Sequence, residues 1–185
     1  MQENNRLDKI NFNHEVLDDE YLGCSFINCD FSNIIIGNIY FEDCEFISCN
    51  FSITKLNNTN FSNARFIDCK MTGMDFTKGS SFCSYYFEKS NLQYSNFYAL
   101  KLKGISFTLC NLQEATFENA NLNSSIFREC DLLRTIFINT NLEKANLSTS
   151  YNFIIDPQSN NIKKATFSKN NILGLVLSFG INIED

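Results

Sequence analysis

The sequence predicts an all-β chain wound into a four-sided solenoid, and three observations predict it. From Phe87 to Leu147 a large apolar residue recurs at every fifth position, Phe alternating with Leu until the last step. Two residues before most of these anchors stands a small one, such as Ser95, Cys110, Ala115, Ala120, Ser125 and Cys130. Cysteines repeat twenty residues apart, at Cys24 and Cys44, Cys29 and Cys49, Cys49 and Cys69, and Cys110 and Cys130. Neither the helical period of about 3.6 nor the strand period of 2 gives a five-residue repeat. A chain that turns a corner every five residues closes its backbone hydrogen bonds only by stacking coil on coil.

The number of sides follows from the columns. Stacking residue i on i+15 sets Leu102 over Phe87 and mixes the two classes, whereas i+20 keeps Phe87, Phe107 and Phe127 together and Leu92, Leu112 and Leu132 together. Four sides per coil fit. Roughly seven coils at about 4.8 Å each make a rod on the order of 33 Å long, with a solid core.

Taken in order, residues 1–15 show no clear repeat and read as a lead-in or cap. The register of the solenoid, expected over residues 16–167, opens at Val16, Tyr21, Phe26 and Phe31 and reaches Phe76. The next step is six residues, to Phe82, across 77–81. This register slip, beside a glycine, predicts a bulge or small loop, with Lys78, Gly79 and Ser80 as its candidate exposed residues. Past Leu147 the pattern loosens, and Ile162, Phe167 and Ile172 suggest one last partial coil. Residues 168–185 read as a short C-terminal helix ending at Gly180, followed by extended chain. Ile172, Leu173, Leu175, Val176, Leu177 and Phe179 are too many large groups for one short helix to hide on a single face. A twofold contact between two copies is the economical solution, so this segment is the expected dimer interface.

Composition narrows the function. No run of 18 apolar residues exists, so no membrane-spanning helix is expected. The polar start predicts no secretory leader and a cytoplasmic location. Net charge is −6. Residues 1–76 hold 12 acids and 5 bases, and residues 77–185 hold 9 acids and 10 bases. Direct nucleic-acid binding is disfavoured, since it needs a basic footprint. The densest acidic clusters, Asp18, Asp19 and Glu20 with Glu42, Asp43 and Glu45, are the candidate partner-facing residues. Twenty-residue stacking puts Glu45 under Arg65 and Glu114 under Arg134, which breaks any continuous acidic stripe.

Seven of the eight cysteines take the small inward position and read as reduced core fillers; Cys83 is off register. No second close pair or histidine completes a metal site. His14 is the only histidine, no catalytic constellation can be drawn, and no phosphate-binding glycine loop exists. The chain is therefore expected to be no enzyme and to use no cofactor or metal.

The anchors and small residues together resemble the pentapeptide-repeat family over roughly residues 16–172. Phe82-Cys83-Ser84-Tyr85-Tyr86, followed by Asn91 to Phe97, looks like the middle of the Qnr quinolone-resistance proteins. Leu100 to Lys103, through Phe117 to Leu122, looks like the microcin-immunity branch. Ile155-Asp156-Pro157, with the apolar tail, resembles the end of both. The resemblance implies a right-handed quadrilateral β-helix and a DNA-mimic rod. It also implies binding to type II topoisomerases, chiefly DNA gyrase with topoisomerase IV as a second candidate, and protection from quinolone or peptide poisons. It further implies dimerisation through the carboxy-terminal segment. Qnr proteins of Gram-negative type carry projecting loops, whereas here the one interruption is a single extra residue. The alternative is an interaction scaffold with no topoisomerase partner.

Overall fold

A computed structural model of the chain describes residues 1–80 and 84–181. Short parallel strands stack into a right-handed four-sided β-helix. The longest ladder joins Arg6–Asp8, Ser25–Ile27, Glu45–Ile47, Ala64–Ile67, Tyr85–Glu88, Ser106–Thr108 and Ile126–Arg128. Single bridges continue it from Ile126 to Asn146 and Thr166. Partners are twenty residues apart, as in Phe26 with Phe46 and Phe107 with Phe127.

Each coil presents four walls, numbered here in chain order by their inward anchors. Wall 1 is built on Tyr21, Phe41, Phe61, Leu102, Leu122 and Leu142. Wall 2 follows Phe26, Phe46, Phe66, Phe87, Phe107 and Phe127. Wall 3 follows Phe12, Phe31, Phe51, Met71, Leu92 and Leu112, and wall 4 follows Ile36, Leu56, Phe76, Phe97, Phe117 and Phe137. All these anchors are buried. Rings stack face to face along a wall, as in Phe87 on Phe107 at 5.3 Å and Phe97 on Phe117 at 4.8 Å. Across the rod they meet edge-on, as in Phe97 against Phe107 at 5.9 Å and 80°. Both arrangements suit the ring quadrupole.

The corners explain the period. Two residues after nearly every anchor the backbone enters the left-handed region, at Asn28, Asn33, Asn38, Asp43 and Ser48 with φ between 52° and 60°. Asn and Asp tolerate this conformation better than other side chains, which accounts for their density on the rod. Other corner residues lock the turn from the side: Asp30, Asn50, Asn91 and Asn111 each accept the backbone N–H two residues on, at 2.9–3.1 Å.

Two boundaries differ from the sequence expectation. Residues 1–15 are no separate cap, because the ladder begins at Gln2–Glu3 and Arg6–Asp8, paired with Tyr21–Leu22 and Ser25–Ile27. Their offset is nineteen, one residue short. The true early anchors are therefore Leu7 and Phe12, the latter stacked on Phe31 at 4.5 Å, and Val16 is 94% exposed rather than buried. The extra residue of the second slip falls between Gly79, still twenty from its partner Thr59, and Tyr85, already twenty-one from Ala64. Lys78 is exposed, but Gly79 and Ser80 are half-buried and bonded back to Phe76 and Thr59 at 3.2 and 2.8 Å. The anchor expected at Phe82 lies outside the described residues.

At the far end the expected helix is two 3-10 turns, Ile172–Leu175 and Leu177–Phe179, closed by Gly180 in the left-handed conformation. Asn171 donates to the carbonyls of Leu147 and Ser150, both at 2.9 Å, which covers the open ladder edge. Gly174 lies on Phe153, where a Cβ would strike the Phe153 carbonyl and ring, and its own carbonyl accepts from Ile155 at 2.9 Å.

Phe46 stacks on Phe26 and Phe66 and meets Phe31, Phe41, Phe51 and Phe61 edge-on. Phe46→Ala is expected to cost about 3–5 kcal/mol, read as a lower denaturant midpoint at unchanged slope. Ile53 is a β-branched residue at φ 61° with its side chain in solvent. Ile53→Asn is expected to raise stability by about 1 kcal/mol, since it relieves the left-handed penalty; an unchanged midpoint would refute that account of the corners.

Candidate partner-binding surfaces

The six candidate acids do not form one site. Glu20, Glu42 and Asp43 share wall 1, because Glu20 pairs with Tyr40 and Leu22 with Glu42. Glu3, beside Leu22, joins them. All four are exposed. Asp19 is exposed just before this strand, and Asp18 is half-buried, accepting from the Gln2 amide at 2.6 Å. Glu45 stands on wall 2, where its carboxylate meets Arg65 at 3.7 Å, and Arg65 also lies over the Tyr86 ring. Glu114 meets Arg134 at 3.8 Å. The twenty-residue columns thus neutralise Glu45 and Glu114, as their spacing predicted.

Farther along wall 1 the charge reverses. Lys101 and Lys103 flank Leu102, Lys144 follows Leu142, and Lys163 and Lys164 follow Ile162, all exposed and aligned by the bridges Lys101–Asn121, Asn121–Asn141 and Asn141–Asn161. Charge summed along the chain hides this group, because acids on the other walls cancel it. Adding the residues beside anchors twenty apart would have found it.

Of the expected dimer residues, Leu175 is buried and Val176 half-buried, while Ile172, Leu173, Leu177 and Phe179 are each 43–48% exposed. The segment therefore does two things: Gly174 and Leu175 close the core, and the other large groups face outward.

Inside, the small position carries a role the sequence did not announce. In most coils its polar atom reaches the carbonyl of an anchor in the coil before, 23 or 24 residues back, although the Ser125 hydroxyl finds no partner. Thr54 donates to Phe31 at 2.6 Å, Thr135 to Leu112 at 2.8 Å, and Ser150 to Phe127 at 3.0 Å. The thiols of Cys49 and Cys69 reach Phe26 and Phe46 at 3.3 Å in the same way. Cys24, Cys29, Cys44, Cys49, Cys69, Cys110 and Cys130 are all free and buried. Burial pushes the Cys44 thiol up to about 12, and the hydrogen bond with Cys49, then burial, raises Cys29 further. Thiols held neutral in this way are poor nucleophiles and poor ligands. Cys83 lies outside the described residues, and His14 is exposed on the irregular segment after Phe12. Among the described residues no group of three His, Cys, Asp or Glu is placed to hold a metal, and no helix is long and apolar enough to cross a membrane.

A family model described as a pentapeptide repeat region matches residues 19–97 and 38–117, and one described as pentapeptide repeats (8 copies) matches 110–148. No curated protein matches the chain in sequence. Among solved structures, a trypsin-treated variant of QnrB1, a plasmid-mediated fluoroquinolone resistance protein, superposes with a TM-score of 0.78 at 20% identity. That match covers 100% of this chain and 91% of that one. A second trypsin-treated QnrB1 variant gives 0.68 at 19%, and full-length QnrB1 gives 0.57 at 18%, each covering 97% of this chain and 99% of the other. At such identities the likeness is one of fold.

The buried thiols set a pH dependence. An unfolded thiol ionises near pH 8.5–9, whereas Cys44 in the fold stays neutral to about 12. Its contribution is complete below pH 8.5 and is lost as pH rises toward 12. Urea midpoints are expected to hold from pH 6 to 8 and fall from about pH 9 upward, with a shallower fall in Cys44→Ala. In Cys83→Ser protein a thiol reagent is expected to label nothing until denaturant is added; rapid native labelling would contradict the packing.

Proposed function

The chain belongs to the pentapeptide-repeat family, and from that premise we propose that it is a non-enzymatic rod that binds a type II topoisomerase, chiefly DNA gyrase. In this reading it works in the cytoplasm and shields the enzyme from a poison. The observation that carries the reading is the end-to-end likeness of this chain to a fluoroquinolone resistance protein. The acidic part of wall 1 supports it. Glu20 and Glu42 stand on successive coils, diagonal to one another and two residues out of line, with Asp43 beside Glu42, so a cluster of negative charge is presented to a DNA-binding surface. The outward apolar residues of the tail support a dimer, in which two rods join end to end and each acidic half points away from the seam.

One observation favours a scaffold without a topoisomerase partner: the negative charge of wall 1 stops before Lys101 instead of running the length of the rod. A pull-down that enriches a different protein and leaves gyrase behind would select this reading.

In a supercoiling assay the protein is expected to change gyrase activity or restore it in the presence of a quinolone or peptide poison. Glu42→Lys with Asp43→Lys should weaken the effect by about tenfold through lost charge complementarity. Neither inhibition nor rescue over a wide concentration range would sink the proposal. For the tail, sedimentation in high salt is expected to give twice the chain mass for the native protein and the single-chain mass for Leu173→Asp and Val176→Asp. Unchanged mass in these variants would remove the tail from the interface.

A further inference from the structure

Wall 1 divides into two halves of equal and opposite charge. Its outward residues before the second slip lie in segments 2–4, 20–23, 40–43 and 60–63, which hold four acids and no Lys or Arg. After the slip they lie in 101–104, 121–124, 141–144 and 161–164, which hold five lysines and one acid, Glu143. Lys144 partly answers that acid at 3.8 Å. The halves therefore carry −4 and +4 (0 − 4 and 5 − 1), each spread over several coils at about 4.8 Å spacing. The two halves share one wall: the ladders hold each half in line, and Ser84 joins them, its hydroxyl bonded to the Asn63 N–H at 2.7 Å and its residue beside Lys101 to Gly104. Walls 2 and 3 show no such division. On wall 2 Asp8, Glu45 and Glu88 alternate with Arg6, Arg65 and Lys89, the six forming three close pairs at 3.6–3.8 Å.

We infer that wall 1 is a self-complementary surface on which a second copy of this chain docks antiparallel. A twofold axis lying in the interface and perpendicular to the rod sets the acidic half of each copy against the basic half of the other, so both halves find their partner at once. A twofold axis parallel to the rod would set acid on acid and lysine on lysine, and the charges exclude it. The outward residues Asn60, Ser62, Asn121 and Asn141 are short and polar, and Tyr40, 50% exposed between Glu20 and Asn60, is the large side chain that the facing copy must accommodate. Little apolar surface is covered, so the contact is electrostatic, reversible and sensitive to salt. It is separate from the tail, and it hides the acidic half that the proposed function presents to a topoisomerase. The docked pair is thus a storage form that dilution or a stronger basic partner opens. Its test uses no topoisomerase, so it stands or falls apart from that function.

The experiment is sedimentation of the full chain carrying Leu173→Asp, which takes the tail out of play, at about 20 mM and about 500 mM salt. The expected result is a dimer at low salt and a monomer at high salt, with carbodiimide crosslinks between chains joining Glu20 or Glu42 to Lys144 or Lys163. Two further proteins sharpen it. Glu20→Lys with Glu42→Lys takes the acidic half from −4 to 0, and Lys144→Glu with Lys163→Glu takes the basic half from +4 to 0, so each variant keeps one charged half that only the other variant can match. Each alone should lose the low-salt dimer by at least tenfold in dissociation constant, and an equimolar mixture should regain it, which a folding defect could not do. A monomer at all salt concentrations would overturn the inference. So would failure of the mixture to recover, or a short DNA duplex bound by the lysine half while the protein itself stays monomeric.

Discussion

Every other feature of this rod depends on one constraint: a side of five residues is too short to satisfy its own backbone hydrogen bonds. Apart from turn bonds such as Ala115 N–H to the Leu112 carbonyl at 3.1 Å, its N–H and C=O groups find their partners in the coil above or below, so coils need sides of equal length and inward anchors in line. The stacked rings of Phe26, Phe46 and Phe66 are the visible result. The two departures from twenty, one residue missing after Phe12 and one added after Gly79, each take effect within a few residues, after which the ladder resumes. A single-residue change that spread along the coil would turn anchors outward, and the chain confines it instead.

The same constraint shapes the interior. With the large anchor set, the position two residues earlier is filled mostly by Ala, Ser, Thr or Cys, with Ile39, Met74 and Ile105 as larger residues buried at the same place. Most of those with a polar atom spend it on an anchor carbonyl 23 or 24 residues back, so the buried hydroxyl or thiol tightens the joint between coils, whereas the buried Ser125 hydroxyl finds no partner. This explains a cysteine-rich protein with neither disulfide nor metal cluster among its described residues: the cysteines are fillers with a weak donor.

Outside, no such constraint operates. Positions beside the anchors tolerate any polar residue, and selection is free to write charge on them. The result differs from wall to wall: neutralising pairs on wall 2, divided charge on wall 1. The tail obeys both regimes, for Gly174 must be small against Phe153 while Leu173 and Phe179 face away from the core.

The five-residue period, the four sides and the burial of seven cysteines were legible in the residues alone, because each is a one-dimensional repeat enforced by the core. The first coil was not legible. Leu7 and Phe12 keep the period, but a one-residue slip puts them out of phase with Tyr21, and only the paired strands reveal it. Nor was the form of the tail, whose 3-10 turns are set by contact with Phe153 and Leu147 and not by local preference. Of the candidate surfaces, the sequence by itself located the acidic residues and the apolar tail. The tertiary structure decided which of them stand together, since neighbours on a wall are twenty residues apart in the chain. It parted Glu45 from Glu42, and it gathered five lysines that no local stretch brings together.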